Sequence, residues 1–342
     1  MTGSRSTNRF RILGSLLTIL GLVAAILLSL GQLGAYHWRA DLFAHFTPHY
    51  IVGLLAAAGG LAALRAYRSC AVFTAFAAAG MILVAPYLNR GSSPISETSS
   101  PFSVLLYNVN LGNTNYAAVI EYIRERDCDL VVIVEATPRW VDALGRLDDI
   151  YPHAFALPRP DAFGLAVYSR TPLSDWQATA PGTVDLPTLH GTVTIDDTPI
   201  RVFASHPLPP TDKQNSRWRN EQIRELAERI GYTRGIKLLF GDLNVTPWSP
   251  NYRALENRAG VVNCARGHGI VPTWPTTRSP IKIPIDHCLV SRDVMVFRVS
   301  RGPDLGSDHY PVEFRLGIPA QSDRGRFDTA RLSSSPGHDS VN

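Results

Sequence analysis

The distribution of apolar and polar positions divides the chain near residue 90. Ahead of it, residues 12–34, 42–64 and 69–89 each lack Asp, Glu, Lys and Arg. Each run is close to the roughly 20 apolar residues that carry a helix across a bilayer. The pattern predicts three transmembrane helices, at about 12–34, 46–64 and 69–88, in a membrane domain of residues 1–90. The middle one has the shortest apolar centre, 50–64, and Pro48 suits the first turn of a helix starting there. Tyr36, Trp38, Tyr50 and Tyr87 stand near the expected ends, where aromatic rings favour the interface. Arg5, Arg9 and Arg11 ahead of the first run also suit a cleaved signal peptide, but the run is long for that role and no clear A-x-A site follows.

Beyond residue 101 the pattern changes to short apolar runs alternating with helical spacing. Strands are expected at 103–109, 130–134, 165–168, 192–195, 201–204, 236–240, 287–290, 294–299 and 312–316. Helices are expected at 116–126, at about 138–147 and at 212–230, the last with Ile223, Leu226, Ala227 and Ile230 as its apolar stripe. Many strands with few helices predict an α/β sandwich in which helices cover packed sheets. This domain occupies 102–318; the Pro/Ser-rich 91–101 reads as a linker, and the polar 319–342 as a disordered tail.

Charge separates the same two parts. The chain holds 33 Lys+Arg and 29 Asp+Glu, but residues 1–100 hold seven basic and two acidic residues, which leaves the larger domain near neutral. A dedicated nucleic-acid binder shows a basic excess, so composition argues against nucleic acid as the partner. Arg5, Arg9, Arg11, Arg65 and Arg68 fall on one side of the expected spans, against Arg39 and Arg90 on the other. The positive-inside rule then puts the N-terminus in the cytoplasm, and three crossings put the large domain outside a multi-pass plasma-membrane protein. Cys70 lies in an apolar span, and Cys128, Cys264 and Cys288 have no zinc spacing. They read as buried free thiols, with one disulfide among them left open.

The chemistry lies where the apolar runs stop. VLLYNVN leaves Asn108 and Asn110, LVVIVEAT leaves Glu135, RVFASHP leaves His206, and KLLFGDLN leaves Asp242 and Asn244. PIDHCLV begins with Asp286 and His287, and GSDHYPV places Asp308 and His309 before the last strand. Any one of these is more often a turn or cap residue. Six strands presenting acid, amide or imidazole at one end point to a site built along a sheet edge.

In this order, N-V-N, E, S-H-P, G-D-x-N, I-D-H and S-D-H-x-P resemble the endonuclease/exonuclease/phosphatase superfamily over roughly residues 101–317. SRTPL (169–173) and PTWP (272–275) match it as well. The preceding apolar spans make the architecture similar to membrane-anchored bacterial members associated with glycopeptide (teicoplanin-type) resistance. The resemblance implies a four-layered α/β sandwich and metal-dependent hydrolysis of a phosphate ester or anhydride. It implies Mg²⁺, with Mn²⁺ as the alternative, at Glu135, Asn108 and Asp308. Asp242 is the expected base for the attacking water, oriented by Asn244. His309 is expected to bond the phosphoryl oxygen, with Asp286 fixing its tautomer, and His206 to contact phosphate or assist the leaving group. Asn110 stands where some nuclease members carry an acid. His287 reads as packing or as support behind the site, Trp274 as either a stacking or a core residue, and Arg217 and Arg219 as a solvated helix face rather than as phosphate contacts.

A near-neutral domain on a linker of about ten residues, reaching on the order of 15–20 Å, favours a phosphorylated lipid at the membrane surface. The expected substrate is a polyprenyl (undecaprenyl) pyrophosphate of the cell envelope. The alternatives are a sphingomyelinase-like phospholipid phosphodiesterase, an extracytoplasmic nuclease and a non-catalytic membrane scaffold.

Overall fold

The structure, a computed structural model, describes residues 2–88 and 99–320. It opens with four helices, α1 (Thr2–Gly31), α2 (Trp38–Ala44), α3 (Thr47–Ala63) and α4 (Tyr67–Leu88). Two of them, α1 from Asn8 and α4, are long and apolar enough to cross a membrane. The middle expected span differs: α2 and α3 meet at 63° and make a third span only if the bent pair counts as one. Pro48 sits in the first turn of α3 and can donate no hydrogen bond back to α2, so a new helix starts there. Leu16, Ile19 and Ile26 of α1 and Ile82 of α4 are exposed, an apolar outer surface of the kind that suits lipid. At Gly21 an added Cβ would lie 2.2 Å from the Phe73 ring, so α1 and α4 meet only because that position has no side chain.

The larger domain holds two six-stranded sheets. The first contains β1 (Ser99–Asn108), β2 (Leu130–Val134), β3 (His153–Leu157), β4 (Leu165–Ser169), β11 (Met295–Arg301) and β12 (Val312–Pro319), in the order β11-β12-β1-β2-β4-β3. The second contains β5 (Leu173–Thr179), β6 (Thr188–Ile195), β7 (Thr198–Ser205), β8 (Ile236–Asp242), β9 (Val261–Asn263) and β10 (Asp286–Ser291), in the order β5-β6-β7-β8-β10-β9. Alternation along each strand serves two cores. Val104 and Leu106 of β1 join Leu238 and Phe240 of β8 between the sheets. Leu105 and Tyr107 point the other way, onto Val119, Ile123 and Trp140 of α5 (Tyr116–Arg126) and α6 (Pro138–Leu144). Behind the second sheet, Phe203 and Leu239 pack on Ile223, Leu226 and Leu255 of α7 (Lys213–Tyr232) and α8 (Pro250–Ala259). The result is the expected four-layered α/β sandwich.

Each sheet centres on a parallel pair, β1–β2 and β7–β8, joined by a helical crossover, with an antiparallel neighbour, β12 or β10. The carboxyl ends of four strands and the amino ends of two therefore reach one edge, where ligands bind in sheets of this kind. β1 begins at Ser99, inside the segment read as linker; residues 89–98 and 321–342, the rest of that linker and most of the expected tail, lie outside the described residues. Cys128, Cys264 and Cys288 are buried and free.

The helices are seated on this domain. Gly267 and Gly269 donate their amides to the carbonyls of Pro86 and Tyr87, at 2.9 and 2.8 Å. Tyr87 meets Trp248 edge-on at 5.7 Å, and Trp248 shares one core with Leu54 and Phe73.

Candidate active site

All eight residues expected to carry the chemistry are brought together at that edge. Asn108 ends β1 wholly buried, and its Nδ2 donates both to Glu135 Oε1 and to Asp242 Oδ2, at 3.1 Å each. One amide thus ties the two sheets together. Glu135, just past β2, adopts a φ of 62°, a region non-glycine residues seldom enter, and its Oε2 accepts the Leu111 amide at 2.8 Å. Asn110 and Asn244 are also left-handed, with φ of 59° and 50°. Asparagine tolerates this conformation, but three such residues in one site mark backbone bent to aim side chains. Gly241 explains the glycine before Asp242: a Cβ there would lie 1.8 Å from the Ser205 carbonyl oxygen, so β7 and β8 approach only without one.

Asp242 stands directly opposite Asp286 across β8 and β10. Two carboxylates in such a register repel. His309 relieves this: its Nδ1 donates to Asp286 Oδ2 at 2.8 Å, and its Nε2 lies 3.6 Å from Asp242 Oδ2. His206 approaches Asp242 Oδ2 with Nε2 at 3.5 Å, while its Nδ1 donates to the Ala162 carbonyl at 2.9 Å. Asn244 completes the ring, donating its Nδ2 to the Pro207 carbonyl at 3.0 Å and standing 3.2 Å from His206 Nε2.

Electrostatics follow from these contacts. Burial opposes charge on His309, but Asp286 and Asp242 outweigh it and raise the pKa to about 10. For His206 burial again works against charge, and Asp242 with Glu135 outweighs it, so its pKa is also raised. Burial alone would raise Asp242, yet His309 and His206 hold it below the usual carboxylate range. The site thus presents the Asp242 carboxylate between two imidazoles whose charged forms it favours.

Two donor sets suit a divalent ion. Asp242, Asp286 and His309 bring ligand atoms within 4.8 Å of one another, and Asp286 Oδ1 is buried with no hydrogen-bond partner. Glu135 and Asp308 supply carboxylate oxygens for a second set, which suits a hard cation such as Mg²⁺; Asn108 and Asn110 face them with Nδ2 and would add oxygen only with their amides turned. The 2.8 Å bond between His309 and Asp286 already accounts for the closeness of the first set and favours the second. Asp308 is held at both ends, by Asn110 Nδ2 at 2.6 Å and by Trp274 Nε1 at 3.0 Å. Trp274, 36% exposed, is thus a rim residue that positions Asp308.

Other side chains sort as follows. His287 is buried packing, as expected: it donates to the Val245 carbonyl at 2.8 Å, and burial lowers its pKa to about 4. Arg219 departs from the sequence reading. It is wholly buried, donates to Asn244 O at 2.9 Å and pairs with Asp41 of α2, whereas Arg217 is exposed. The apolar side of the site was not legible in the sequence. A cavity of about 550 Å³ over Glu135, His206, Asp242 and His309 is walled by Leu42, Phe46, Phe163, Pro209, Ile283 and Ile285. Leu42 and Phe46 come from the α2–α3 elbow, and no local pattern joins them to a site some 200 residues away.

Comparison with known proteins places this geometry. The sequence profile described as Endonuclease/Exonuclease/phosphatase family matches residues 105–309. Humanized D. rerio TDP2 superimposes with a TM-score of 0.54 at 19% identity, over 63% of this chain and 98% of that one. An endonuclease/exonuclease/phosphatase from Beutenbergia cavernae gives 0.54 at 20% identity, over 64% and 72%. SmcL gives 0.51 at 20%, over 63% and 99%. A search of curated proteins returns no match.

Proposed function

Because this chain belongs to the endonuclease/exonuclease/phosphatase family, whose members are metal-dependent phosphoesterases, we propose that it hydrolyses a phosphate bond in a lipid-linked substrate, a polyprenyl pyrophosphate of the cell envelope, on the outer side of the membrane. One observation carries the lipid reading: the cavity over the polar site is walled by apolar side chains, two of them from the segment that joins the membrane helices. A phosphate with an apolar tail matches both surfaces, as ligand pockets pair a few polar groups with an apolar lining. A free nucleic-acid strand matches only one.

Glu135, Asn108 and Asp308 would hold a divalent ion, Mg²⁺ or Mn²⁺, which when bound would neutralise phosphate charge. The residues of the chain do the rest. Asp242, held anionic by His309 and His206, is a weak base. It orients the attacking water through a hydrogen bond and takes the proton as the new P–O bond forms. His309 donates from Nε2 to a phosphoryl oxygen, its ring fixed by Asp286 at Nδ1. His206, bonded to the Ala162 carbonyl through Nδ1, presents Nε2–H to the leaving oxygen. Asn244 positions Asp242 through its backbone amide, and the chain next to His206 through Nδ2 on the Pro207 carbonyl.

The test is phosphate release from undecaprenyl pyrophosphate by the full chain in detergent, with Mg²⁺, with chelator, and for Asp242→Asn. Double-stranded DNA and sphingomyelin run alongside. Release that needs Mg²⁺ and is lost in the variant supports the reading. Cleavage of DNA or sphingomyelin instead keeps the site and overturns the substrate.

A further inference from the structure

The turn that follows β8 carries Asp242 and Asn244 on its inner side, and its backbone and later residues are gripped from behind. Leu243 donates its amide to Ile285 O at 2.9 Å, and His287 Nε2 donates to Val245 O at 2.8 Å. Both grips lie within the large domain. The remaining ones lead to the helices. His45 Nδ1 lies 3.3 Å from Thr246 Oγ1, and Trp248 Nε1 donates to His45 O at 3.2 Å. Ser249 Oγ donates to Asp41 Oδ1 at 2.6 Å. The other oxygen of Asp41 accepts from Arg219, whose second terminal nitrogen donates to Asn244 O at 2.9 Å. Asp41 and Arg219 are both 0% exposed.

A buried ion pair is an expensive way to hold two surfaces together, and apolar residues of similar volume do it as well or better. What the pair provides is direction. Arg219 needs a full set of acceptors to stay buried and charged, and Asp41, Asn220 and the Asn244 carbonyl supply them. The carbonyl of a residue whose side chain stands 3.2 Å from His206 is therefore fixed by a carboxylate on a helix of the membrane domain.

We propose that Asp41 and Arg219 are a positioning pair for the Asn244 turn, so that the seating of α2 on the large domain sets the rate of the chemical step. The membrane domain then does more than anchor the chain. When α2 tilts away, Arg219 loses its counter-ion, the Asn244 carbonyl is released, and Asn244 no longer holds Asp242 and the Pro207 carbonyl in register. This rests on the reading of Asp242, Asn244 and His206 as the reacting groups.

The experiment uses the full chain in detergent with Mg²⁺ and bis(p-nitrophenyl) phosphate, together with hydrogen-exchange mass spectrometry that needs no turnover. Asp41→Asn should raise exchange about tenfold or more in peptides spanning 241–249 and leave those of β1 and β7 unchanged, the mark of a local opening. It should lower kcat on the order of 10- to 100-fold with KM unchanged, as loss of a group that orients a reacting one does. Asp41→Glu should restore most of the rate. Arg219→Gln should lower kcat similarly, and the double variant should be no worse than either alone, since both act through one contact. Should Asp41→Asn fail to fold, Asp41→Leu with Arg219→Leu removes both charges and keeps volume. That pair should hold its unfolding temperature yet show the same local exchange and the same loss of kcat. Unchanged exchange at 241–249, or multiplicative losses in the double variant, would overturn the pairing. A wild type inert on every phosphate ester would instead remove the functional reading, and the exchange result would still decide whether Asp41 holds the turn.

Discussion

In the first sheet the parallel pair β1–β2 ends in Asn108 and Glu135, and the antiparallel β12 is preceded by Asp308 and His309. In the second, β7–β8 ends in His206 and Asp242, and β10 begins with Asp286. The strand layout is the same, but the chemistry differs. The first sheet gathers oxygen donors, with His309 as its one imidazole, and the second gathers a carboxylate pair and a histidine. His309 crosses over to sit between Asp242 and Asp286, and Asn108 crosses at the other end, bonding Asp242. One scaffold geometry is thus used twice, and on the proposed reading it divides the work: one half would hold the ion, and the other would orient water and move protons. The fold supplies positions, and side-chain identity supplies the task.

Substitutions can break or sharpen this division. The largest effect is expected from Asp242→Asn, which should cut phosphate release by about 10⁴-fold while leaving Mg²⁺ affinity, measured calorimetrically, unchanged. A loss of Mg²⁺ affinity of comparable size would place Asp242 in the ion-holding half and erase the distinction. Glu135→Gln should do the reverse, raising the half-saturating Mg²⁺ concentration by about 10- to 100-fold, with much of the rate recovered at saturating metal.

A third test concerns the bridge between the halves. His309, raised to about 10 by Asp286 and Asp242, is charged below that pH and loses its proton as pH rises through it. Turnover that needs the imidazolium is therefore present at neutral pH and falls on the alkaline side. Asp286→Asn removes an anion that favours the charged ring, so the alkaline limb should move to lower pH in the kcat profile. The rate at the optimum should drop about 10- to 100-fold. Smaller still is Asn110→Asp, which adds a carboxylate beside Asp308. It should lower the half-saturating Mg²⁺ by about tenfold or less, since ligand charge tunes affinity for a hard cation, with little change in kcat.

The sequence was most legible where one period dominates. Helix 116–126 and strand 130–134 match α5 and β2 to the residue, because Val119, Ile120 and Ile123 keep one face and LVVIV is buried on both. The edge strands β3 and β5 escaped, since strands packed on one side alternate weakly, and β5 is interrupted between Ser174 and Gln177, around the left-handed Asp175. Helix α8 was hidden by the Pro-rich turn before it; Ser249 caps it and Pro250 starts it. In the site, the polar residues that end strands could be read because burial and charge conflict there. Arg219 could not. Its spacing on a charged helix is that of a solvated face, and only the approach of Asp41 across 178 residues makes it a core residue.

The bonds from Gly267 and Gly269 to the end of α4, and the edge-on contact of Tyr87 with Trp248, also act as a ruler. A catalytic unit hung on a flexible tether samples many heights above a bilayer, whereas one seated on its helices has a single height. For such a molecule the depth of the scissile bond in the headgroup layer is a selection rule, independent of how the phosphate itself is recognised. Lengthening the chain between residues 88 and 99 with a flexible insert should then leave turnover of a bilayer-embedded substrate unaltered. Changing the length of α4 by a helical turn, about 5.4 Å, should not.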